Sequence, residues 1–442
     1  MSQYSNKVSH TSWGRIVRGK YPIASPHYLD QLDDALNDKD NEQTLAIGLS
    51  RSYGDSALNS GGALIDMSQL NRIISFDSKN GILHAEAGAS ISDILQIIVP
   101  KGWFLKTTPG TRFVTLGGAI ANDVHGKNHH KFGTIGCSVK SINLLRSNKE
   151  PIKLSKTQNK ALFNATIGGL GLTGIITSAE LELTPINSSF LNVERIAFEH
   201  VSDFFALAKE SEKTHEHTVA WIDCSSAKSH LGRGIFQRAN WCNDKKLIAH
   251  NDEAKLSMPV DAPNFALNGL SVKAFNAFYY RAQKYGYKKQ RLHYAPFFYP
   301  LDSILNWNRL YGNRGFYQYQ CVIPSDAAPL AIEEMLEQIT KAGAGSFLAV
   351  LKTLGEIKSP GLLSFPMKGA TLALDFPNNG EKTLKLLSIL DELVKQAGGK
   401  LYPAKDGRMS KEMFEFSYPS LSSFKKHIDP ALSSNFWKRI ST

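Results

Sequence analysis

The densest group of potentially reactive side chains is the run H-G-K-N-H-H at residues 125–130. His125, His129 and His130 are of the type that ligates a metal, acts as a base or lines a ligand pocket. A metal site would need carboxylate support, but only Asp123 is near in the sequence and no H-E-x-x-H motif occurs. The run therefore favours a structural histidine cluster or the wall of a cofactor site, and we expect no metal.

These histidines end a glycine-rich segment, P-G-T-R-F-V-T-L-G-G-A-I-A-N-D-V-H-G-K-N-H-H, at residues 109–130. Glycine has no Cβ, so Gly110, Gly117, Gly118 and Gly126 would let the backbone approach a flat or phosphorylated ligand closely. We therefore expect this segment to contact a ligand largely through its main chain.

A second cluster of small residues, S-R-S-Y-G-D-S at residues 50–56, directly follows an apolar run. Consecutive backbone N–H groups in such a cluster can converge into an anion-binding nest, and Arg51 would add a fixed positive charge. A plain tight turn is the alternative interpretation.

A third candidate is Lys405 in Y-P-A-K-D-G-R, residues 402–408. A lysine among small loop residues is often an ordinary solvated charge. If it is desolvated, its ammonium can polarise a substrate oxygen or, at a lowered pKa, its amine can act as a base.

The run G-L-G-L-T-G at residues 169–174 matches the dinucleotide pattern G-x-G-x-x-G, but its context does not. That motif must follow a strand and open a helix. Here a helical pattern precedes it and the alternating run I-I-T-S-A-E-L-E-L-T-P follows it, which favours a glycine-rich turn over a Rossmann site.

The elements around these motifs indicate an α+β fold. Short apolar runs at residues 44–49, 63–67 and 81–88 predict strands, and Ser92 is predicted to cap a short helix that ends at Pro100 and Gly102. After about residue 188 the patterns predict longer helices at 203–213 and 327–342, and a polar loop near 243–253. The segment after Gly398 is too short for a domain, so we expect it to pack back onto the N-terminal lobe.

Composition limits the class of partner. The net charge of +11 favours anionic partners, but zinc-finger spacing and RNA-binding signatures are missing, which argues against nucleic acid. The four cysteines are scattered, and no apolar stretch reaches the roughly 18 residues of a spanning helix. We expect a cytoplasmic protein that can attach peripherally to the inner membrane.

Taken together and in this order, R-S-Y-G-D, P-G-T-R, T-L-G-G-A-I, H-G-K-N-H-H, G-G-L-G-L-T-G-I-I and Y-P-A-K-D-G-R resemble the FAD-dependent oxidases of the vanillyl-alcohol-oxidase (PCMH-type) fold. W-N-R-L-Y-G, Y-Q-Y-Q, L-L-S-F-P-M-K-G and L-D-F-P extend the resemblance over nearly the whole chain. Each motif alone is weak, but jointly they are specific.

The resemblance implies a bilobed α+β protein. Residues 1–187 and 399–442 would form the PCMH-type FAD-binding domain, and residues 188–398 a substrate domain built on an antiparallel sheet with flanking helices. The residues that would contact FAD are Ser50, Arg51, Ser52, Tyr53, Gly54, Asp55, Gly110, Thr115, Leu116, Gly117, Gly118, Asn122, Asp123, Val124, His125, Ile175 and Tyr402. Many relatives tether FAD through a histidine in the pyrophosphate loop; Arg51 takes that place here, which predicts noncovalent FAD.

The implied reaction is oxidation of the C2' hydroxyl of a polyprenyl-phosphoryl ribose to a ketone, with hydride passing to the flavin. A short-chain dehydrogenase/reductase would then reduce the ketone to the arabinose epimer used in cell-envelope glycan synthesis. Lys405 would contact the reacting hydroxyl, with Tyr53 and His125 beside it. The residues that would line the substrate pocket are Gln318, Gln320, Lys352, Lys405, Phe298 and Ala373.

Two substrate-side positions depart from the family pattern, since Ala373 replaces a cysteine and Phe298 a tyrosine. An alditol or aldonolactone oxidase of the same fold therefore stays an alternative, as does a noncatalytic protein that binds flavin and polyprenyl phosphate. The segment at residues 264–291 joins aromatic residues to a basic run, which predicts either membrane contact or a core helix with a solvated end.

Overall fold

The computed structural model describes residues 4–441 apart from residues 6, 39, 42, 227, 252–255 and 264–266. In chain order, the strands of this part are β1 (Val8–Thr11), β2 (Arg18–Tyr21), β3 (Ile23–Ala24), β4 (Thr44–Ile47), β5 (Ala63–Asp66), β6 (Ile73–Asp77), β7 (Ile82–Glu86), β8 (Trp103–Leu105), β9 (Val139–Leu145), β10 (Ile152–Ser155), β11 (Ile175–Pro185), β12 (Phe190–Phe198), β13 (His217–Ile222), β14 (Gly234–Trp241), β15 (Leu256–Ser257), β16 (Lys289–His293), β17 (Ile304–Leu305), β18 (Phe316–Pro324), β19 (Ala349–Leu354), β20 (Gly369–Pro377) and β21 (Lys400–Leu401).

The helices are α1 (Leu29–Leu36), α2 (Ile91–Ile98), α3 (Leu116–Ala121), α4 (His129–Phe132), α5 (Ile135–Ser138), α6 (Lys160–Thr166), α7 (Val201–Ser211), α8 (Gly269–Lys284), α9 (Tyr294–Phe298), α10 (Ala328–Lys341), α11 (Glu381–Gln396), α12 (Lys411–Ser417), α13 (Leu421–Lys425) and α14 (Asn435–Ser441). Among the described residues, no helix combines the length and the hydropathy needed to cross a bilayer.

The described residues of the N-terminal part form three sheets, the smallest of which is the antiparallel pair of β1 and β2. The strands β3, β5 and β4 form a small parallel sheet, while β10, β9, β11, β7 and β6 form an antiparallel one in that order, with β8 also paired to β11. Helix α2 packs its apolar face against this region, and Ile91, Ile94, Leu95 and Ile98 are buried. The mixture of helices and sheets confirms the predicted α+β fold class.

A large antiparallel sheet follows, in the order β16-β12-β14-β13-β19-β20-β18-β21. Its central strands alternate in the way that sequence period two requires. On β20, Leu372 and Leu374 join the core formed with α10 and α11, whereas Ala373 and Asp375 face a cavity. One face of the sheet therefore stabilises the fold and the other carries chemistry.

The C-terminal segment connects both parts. Strand β21 pairs with β18 at the edge of the large sheet, and farther on the Thr44 amide donates to the Ala431 carbonyl at 2.8 Å. Asp429 accepts hydrogen bonds from the amide and the hydroxyl of Ser147. The segment packs against the N-terminal part as expected, but it contributes to the large sheet as well.

Most predicted elements lie within a few residues of those observed, including the helices α7 and α10 and the strands β4, β5 and β7. The predicted cap of α2 is wrong, because Ser90 and not Ser92 caps this helix, in a reciprocal capping box with Asp93. Residues 243–251 contain no regular element, while the rest of that predicted loop, at 252–253, lies outside the described residues.

Candidate active site

A cavity of about 1020 Å³ lies between loops of the N-terminal part and the polar face of the large sheet. This size is at the upper end of the range for small-molecule sites. A second cavity of about 60 Å³ shares several lining residues with it, among them Gly48, Thr115 and Gly118. The two cavities therefore adjoin each other.

The loop after β4 supplies one end of the cavity wall. Ser50 adopts a left-handed conformation with φ +50°, and the amides of Arg51 and Ser52 donate to no described residue. The Tyr53 amide, by contrast, donates to the Ala404 carbonyl at 3.2 Å. The predicted nest therefore has two amides available for an anion, at residues 51 and 52.

Arg51 is held in a fixed position beside this loop. Its guanidinium lies 3.9 Å from the centroid of the Trp13 ring, and its Nε donates to the Phe113 carbonyl at 3.2 Å. A planar guanidinium stacked on an aromatic ring keeps its remaining donors pointed away from the ring. Arg51 therefore presents a positive charge to the cavity at a defined place.

The glycine-rich segment forms the adjacent wall. A Cβ added to Gly110 would meet no protein atom within 4 Å, so this backbone faces open space. Thr115 caps α3 by accepting from the Gly118 amide, which places Asn122 at the opposite end of the helix. The Oδ1 atom of Asn122 is buried and has no hydrogen-bond partner among the described residues.

His125 closes this wall where it meets the large sheet. The Gln320 amide nitrogen lies 3.1 Å from His125 Nε2; since an amide nitrogen donates, Nε2 accepts and the ring proton is on Nδ1. That Nδ1 is buried and without a partner in the described part of the chain. Burial and, second, the Lys352 ammonium hold the pKa of His125 well below its usual value, so the ring is neutral at neutral pH.

Lys405 lies between the two walls. Its Nζ is 3.9 Å from the centroid of the Tyr53 ring, and Tyr53 packs edge-on against Phe316. Burial lowers the pKa of Lys405 to about 7, with Asp375 acting in the opposite direction and Lys352 in the same one. A substantial fraction of this amine is therefore neutral near neutral pH, as a general base requires.

Two further lysines line the same cavity. Burial lowers the pKa of Lys352 to about 8, and burial together with the Lys352 charge lowers that of Lys127 to about 7. Lys127 donates to the Phe297 carbonyl, whereas the side chain of Lys352 forms no hydrogen bond or ion pair with any described residue. Three lysine side chains near one carboxyl group, with Lys352 mostly protonated at neutral pH, make this region favourable for an anion.

The carboxyl group is that of Asp375 on β20. The Gln318 amide donates to it at 2.6 Å, in keeping with the register that pairs Gln318 with Asp375. Burial raises the pKa of Asp375 to about 7, while Gln318 and Lys405 act to lower it. This carboxyl is the acidic neighbour of Lys405.

Most predicted site residues lie on the wall of the large cavity. They are Ser50, Arg51, Ser52, Tyr53, Gly110, Thr115, Gly118, Asn122, Val124, His125, Phe298, Gln318, Gln320, Lys352, Ala373, Tyr402 and Lys405. Gly117 and Ile175 line the small cavity.

Four predicted residues do not line either cavity. Asp55 forms an ion pair with Arg439, and Leu116 is buried in the apolar core. Asp123 accepts from the Gly136 amide and from Ser364. A Cβ on Gly54 would lie 1.5 Å from the Asp406 carbonyl oxygen. These four residues contact other parts of the protein instead, so their positions favour a supporting role over direct contact with a ligand.

The other two histidines of the run contact different segments of the chain from His125. His129 Nδ1 accepts from the Gly355 amide at 3.1 Å, and His130 Nε2 lies 3.0 Å from the His215 carbonyl. Within the described residues, no three His, Cys, Asp or Glu side chains are grouped as metal ligands. The interpretation of the run as part of a wall, with structural histidines behind it, agrees with these contacts.

The cavity wall formed by the loop after β4 and the glycine-rich segment, here called the first wall, has residues that fit FAD. Free amides beside a fixed arginine suit its pyrophosphate, open space over Gly110 admits its bulk, and the unpartnered atoms of Asn122 and His125 can bond its polar edges. The chain matches the model of the FAD binding domain family over residues 23–155. The fold and site thus define an FAD-dependent oxidoreductase.

The chain is also similar to curated proteins. It is 34% identical to the decaprenylphosphoryl-β-D-ribose oxidase of Mycolicibacterium smegmatis over 95% of this chain and 94% of that protein. The bovine L-gulonolactone oxidase is 27% identical over 34% of each chain, and the D-lactate dehydrogenase of Anaerostipes hadrus is 28% identical over about a third of each chain. The protein belongs to the decaprenylphosphoryl-β-D-ribose oxidase family.

Among the cavity-wall residues to which the sequence alone gives no role are Lys127, Asp375 and Trp307. Lys127 lies inside the histidine run, and Asp375 inside the quoted motif L-D-F-P. A carboxylate inside the apolar strand pattern T-L-A-L-D-F-P was the available signal for Asp375, because an unpaired charge is costly in a buried strand. Trp307 opens the quoted motif W-N-R-L-Y-G, but nothing in that motif indicates a place on the cavity wall.

Proposed function

We propose that this protein oxidises the C2' hydroxyl of a polyprenyl-phosphoryl-β-D-ribose to a ketone, the first half of an epimerisation to the arabinose form. The observation that carries the proposal is the position of Lys405, an amine of lowered pKa that lies between the first wall and the polar face of the large sheet. The family relationship supports the same substrate class, because the M. smegmatis relative is a decaprenylphosphoryl-β-D-ribose oxidase.

Oxidation of a secondary alcohol removes a proton from oxygen and a hydride from carbon. Bound FAD supplies the hydride acceptor. Neutral Lys405 Nζ accepts the hydroxyl proton, and the Tyr53 ring, whose centroid is 3.9 Å from Nζ, stabilises the ammonium that forms. His125 is neutral and carries its proton on Nδ1, so it can donate a hydrogen bond to bound FAD without placing a second positive charge beside the base.

The substrate phosphate is proposed to lie near Lys352 and Lys127. Both ammonium groups are partly desolvated, and a phosphodiester would supply the negative charge that the described protein residues do not. Gln318 and Gln320 offer amide groups to the sugar hydroxyls, and Ala373 and Phe298 bound the pocket. Phe298 stacks with Phe104 at a centroid distance of 5.4 Å, so this part of the pocket is apolar.

FAD is proposed to be held without a covalent bond. Arg51 stands in the loop where many relatives carry the tethering histidine, and a guanidinium stacked on Trp13 is not a nucleophile. Precipitating the purified protein with acid should release its yellow colour into the supernatant. Colour that stays with the pellet would contradict noncovalent binding.

Two partners are part of the proposal. A short-chain dehydrogenase/reductase would reduce the ketone from the opposite face of the sugar, and the lipid-linked substrate implies peripheral contact with a membrane. The match to L-gulonolactone oxidase covers only 34% of the chain, so it gives an aldonolactone substrate much weaker support than the family relationship gives a lipid-linked one.

The test is anaerobic mixing of the FAD-loaded protein with synthetic polyprenyl-phosphoryl ribose while the flavin absorbance is followed. We expect bleaching with this substrate and none with alditols or aldonolactones. Bleaching by the soluble sugars alone would favour the alternative oxidase, and binding of the lipid without bleaching would favour a noncatalytic protein.

A further inference from the structure

We propose that the outward face of α8 is a docking surface for a bilayer that contains anionic lipids, and that the cavity opens beside it. The surface, here called the α8 face, consists of Leu270, Phe278 and Tyr285 with Lys273 and Arg281. The inference rests on the proposed function, because a lipid-linked substrate must reach the cavity from a membrane.

The apolar members of the α8 face are exposed to an unusual degree. Leu270 is 82% exposed, Phe278 74% and Tyr285 83%. Residues 270, 278, 281 and 285 follow helical spacing, so their side chains point in one direction, and Lys273 borders this face one turn after Leu270. Large apolar side chains grouped on one exposed face indicate an interaction surface, whereas isolated ones do not.

The opposite face of α8 fixes the helix to the protein. Asn276 donates to Asp223 and to the Ser346 carbonyl, each at 3.1 Å, and the Tyr280 hydroxyl donates to Glu199 at 2.9 Å. The core contacts of the helix are therefore already made on its buried side. The exposed aromatic residues take no part in this packing, which argues against the alternative of a simple core helix.

The charge of this region matches an anionic lipid surface. Residues 262–301 contain six lysines and arginines and no aspartate or glutamate. Lys284, Lys289 and Arg291 pair with Glu199, Glu194 and Asp244 from neighbouring strands and loops. Lys273, Arg281 and Lys288 form no ion pair with the described residues, so their charges are available to lipid headgroups.

The same helix also forms part of the cavity wall. Ser271, Val272, Phe275 and Tyr279 line the cavity, and Phe275 is at the same time 47% exposed. Phe275 lies one helical turn from Phe278 and so connects the α8 face to the cavity wall, where a polyprenyl chain that leaves a bilayer would meet it. This continuity favours a membrane over a protein as the occupant of the face.

The experiment is cosedimentation of the FAD-loaded protein with vesicles of phosphatidylcholine, with or without phosphatidylglycerol. We expect binding to the anionic vesicles that is about tenfold weaker in the Leu270→Ser/Phe278→Ser variant. The charge variant Lys273→Glu/Arg281→Glu should lose the preference for anionic vesicles, again by about tenfold or more. Retained flavin absorbance in each variant shows that it is folded.

Matched controls are Leu330→Ser, which removes a leucine that is 76% exposed on α10, and Lys382→Glu/Lys385→Glu on α11. Both should bind vesicles like the unchanged protein. Equal binding to neutral and anionic vesicles, no vesicle binding, or the same loss in the controls would overturn the proposal. If the protein binds no vesicles, the α8 face would instead be a candidate surface for a protein partner.

Oxidation of a short-chain, water-soluble polyprenyl-phosphoryl ribose separates this proposal from the proposed function. The variants of the α8 face should oxidise it normally, since none of the substituted residues lines the cavity, but should oxidise vesicle-borne substrate more slowly. Oxidation of the soluble substrate without vesicle binding would overturn the docking surface alone. Vesicle binding without oxidation would overturn the proposed function alone.

Discussion

The two walls of the cavity use different parts of the polypeptide. The first wall, which the N-terminal part forms, presents backbone amides and glycines, with Arg51 as its fixed charge. The sheet wall presents side chains, among them Lys352 and Asp375, whose pKa values are shifted by burial. We infer that the first wall is adapted to hold a cofactor and the second to recognise and change a substrate.

Replacing Lys405 with methionine should have the largest effect on this division. The variant keeps the volume of the side chain but removes the base, so flavin reduction by substrate should fall by about 10²–10⁴-fold. FAD content should stay unchanged because the first wall is intact. Rapid mixing under anaerobic conditions measures the rate.

Lys400→Met is a matched control in the same segment. Lys400 also has a pKa lowered by burial, but it lies outside the cavity wall, so its loss should leave the rate of flavin reduction unchanged. Equal rates in the two variants would remove Lys405 from the mechanism.

The substitution Gly110→Ala tests the first wall alone. Its Cβ would meet no protein atom within 4 Å, so the fold should tolerate it, but it would occupy space that we assign to FAD. We expect FAD affinity to fall by roughly tenfold or more, about the effect of a methyl group forced into a packed contact. Fluorescence titration of the FAD-free protein measures the affinity.

Thermal unfolding of the FAD-free Gly110→Ala variant provides the control, and its midpoint should match that of the unchanged protein. Unaltered FAD affinity would show that Gly110 does not face the cofactor.

The same contrast explains what the sequence could predict. Glycine-rich loops such as residues 50–56 and 109–130 are local signals, since a short stretch of backbone creates the binding surface by itself. The partners of buried charges are set by distant pairings, because Gln318 meets Asp375 across 57 residues and His125 meets Gln320 across 195. Lys127 and Asp375 were visible in the sequence, but their roles depend on neighbours that only the folded sheet brings together.

Asp375→Asn should change the pH dependence of the sheet wall more than its maximal rate. Lys405 has a pKa of about 7, and the Asp375 charge raises it, so removing that charge should lower it further. Because the base works when it is neutral, the rise of flavin reduction with pH should move to lower pH by roughly one unit. An unmoved pH profile would contradict the proposed coupling of these two groups.

The smallest effect concerns stability, and it separates the sheet wall from ordinary core. Lys352 has a folded pKa of about 8, below its value in an unfolded chain. Between these two values the unfolded chain binds a proton that the folded protein does not, so stability rises with pH above about 8. Lys352→Met removes this contribution together with the cost of desolvating an ammonium. Near pH 7 the variant should therefore unfold at a midpoint roughly 1–3 °C higher, and the midpoint should rise less steeply towards pH 10.

The exposed Lys385 offers the control Lys385→Met, which should change neither the midpoint near pH 7 nor its rise with pH. All proteins are measured with excess FAD. A lower unfolding midpoint in Lys352→Met would mean that Lys352 stabilises the fold. That result would contradict the view that Lys352 lowers stability in order to bind an anionic substrate.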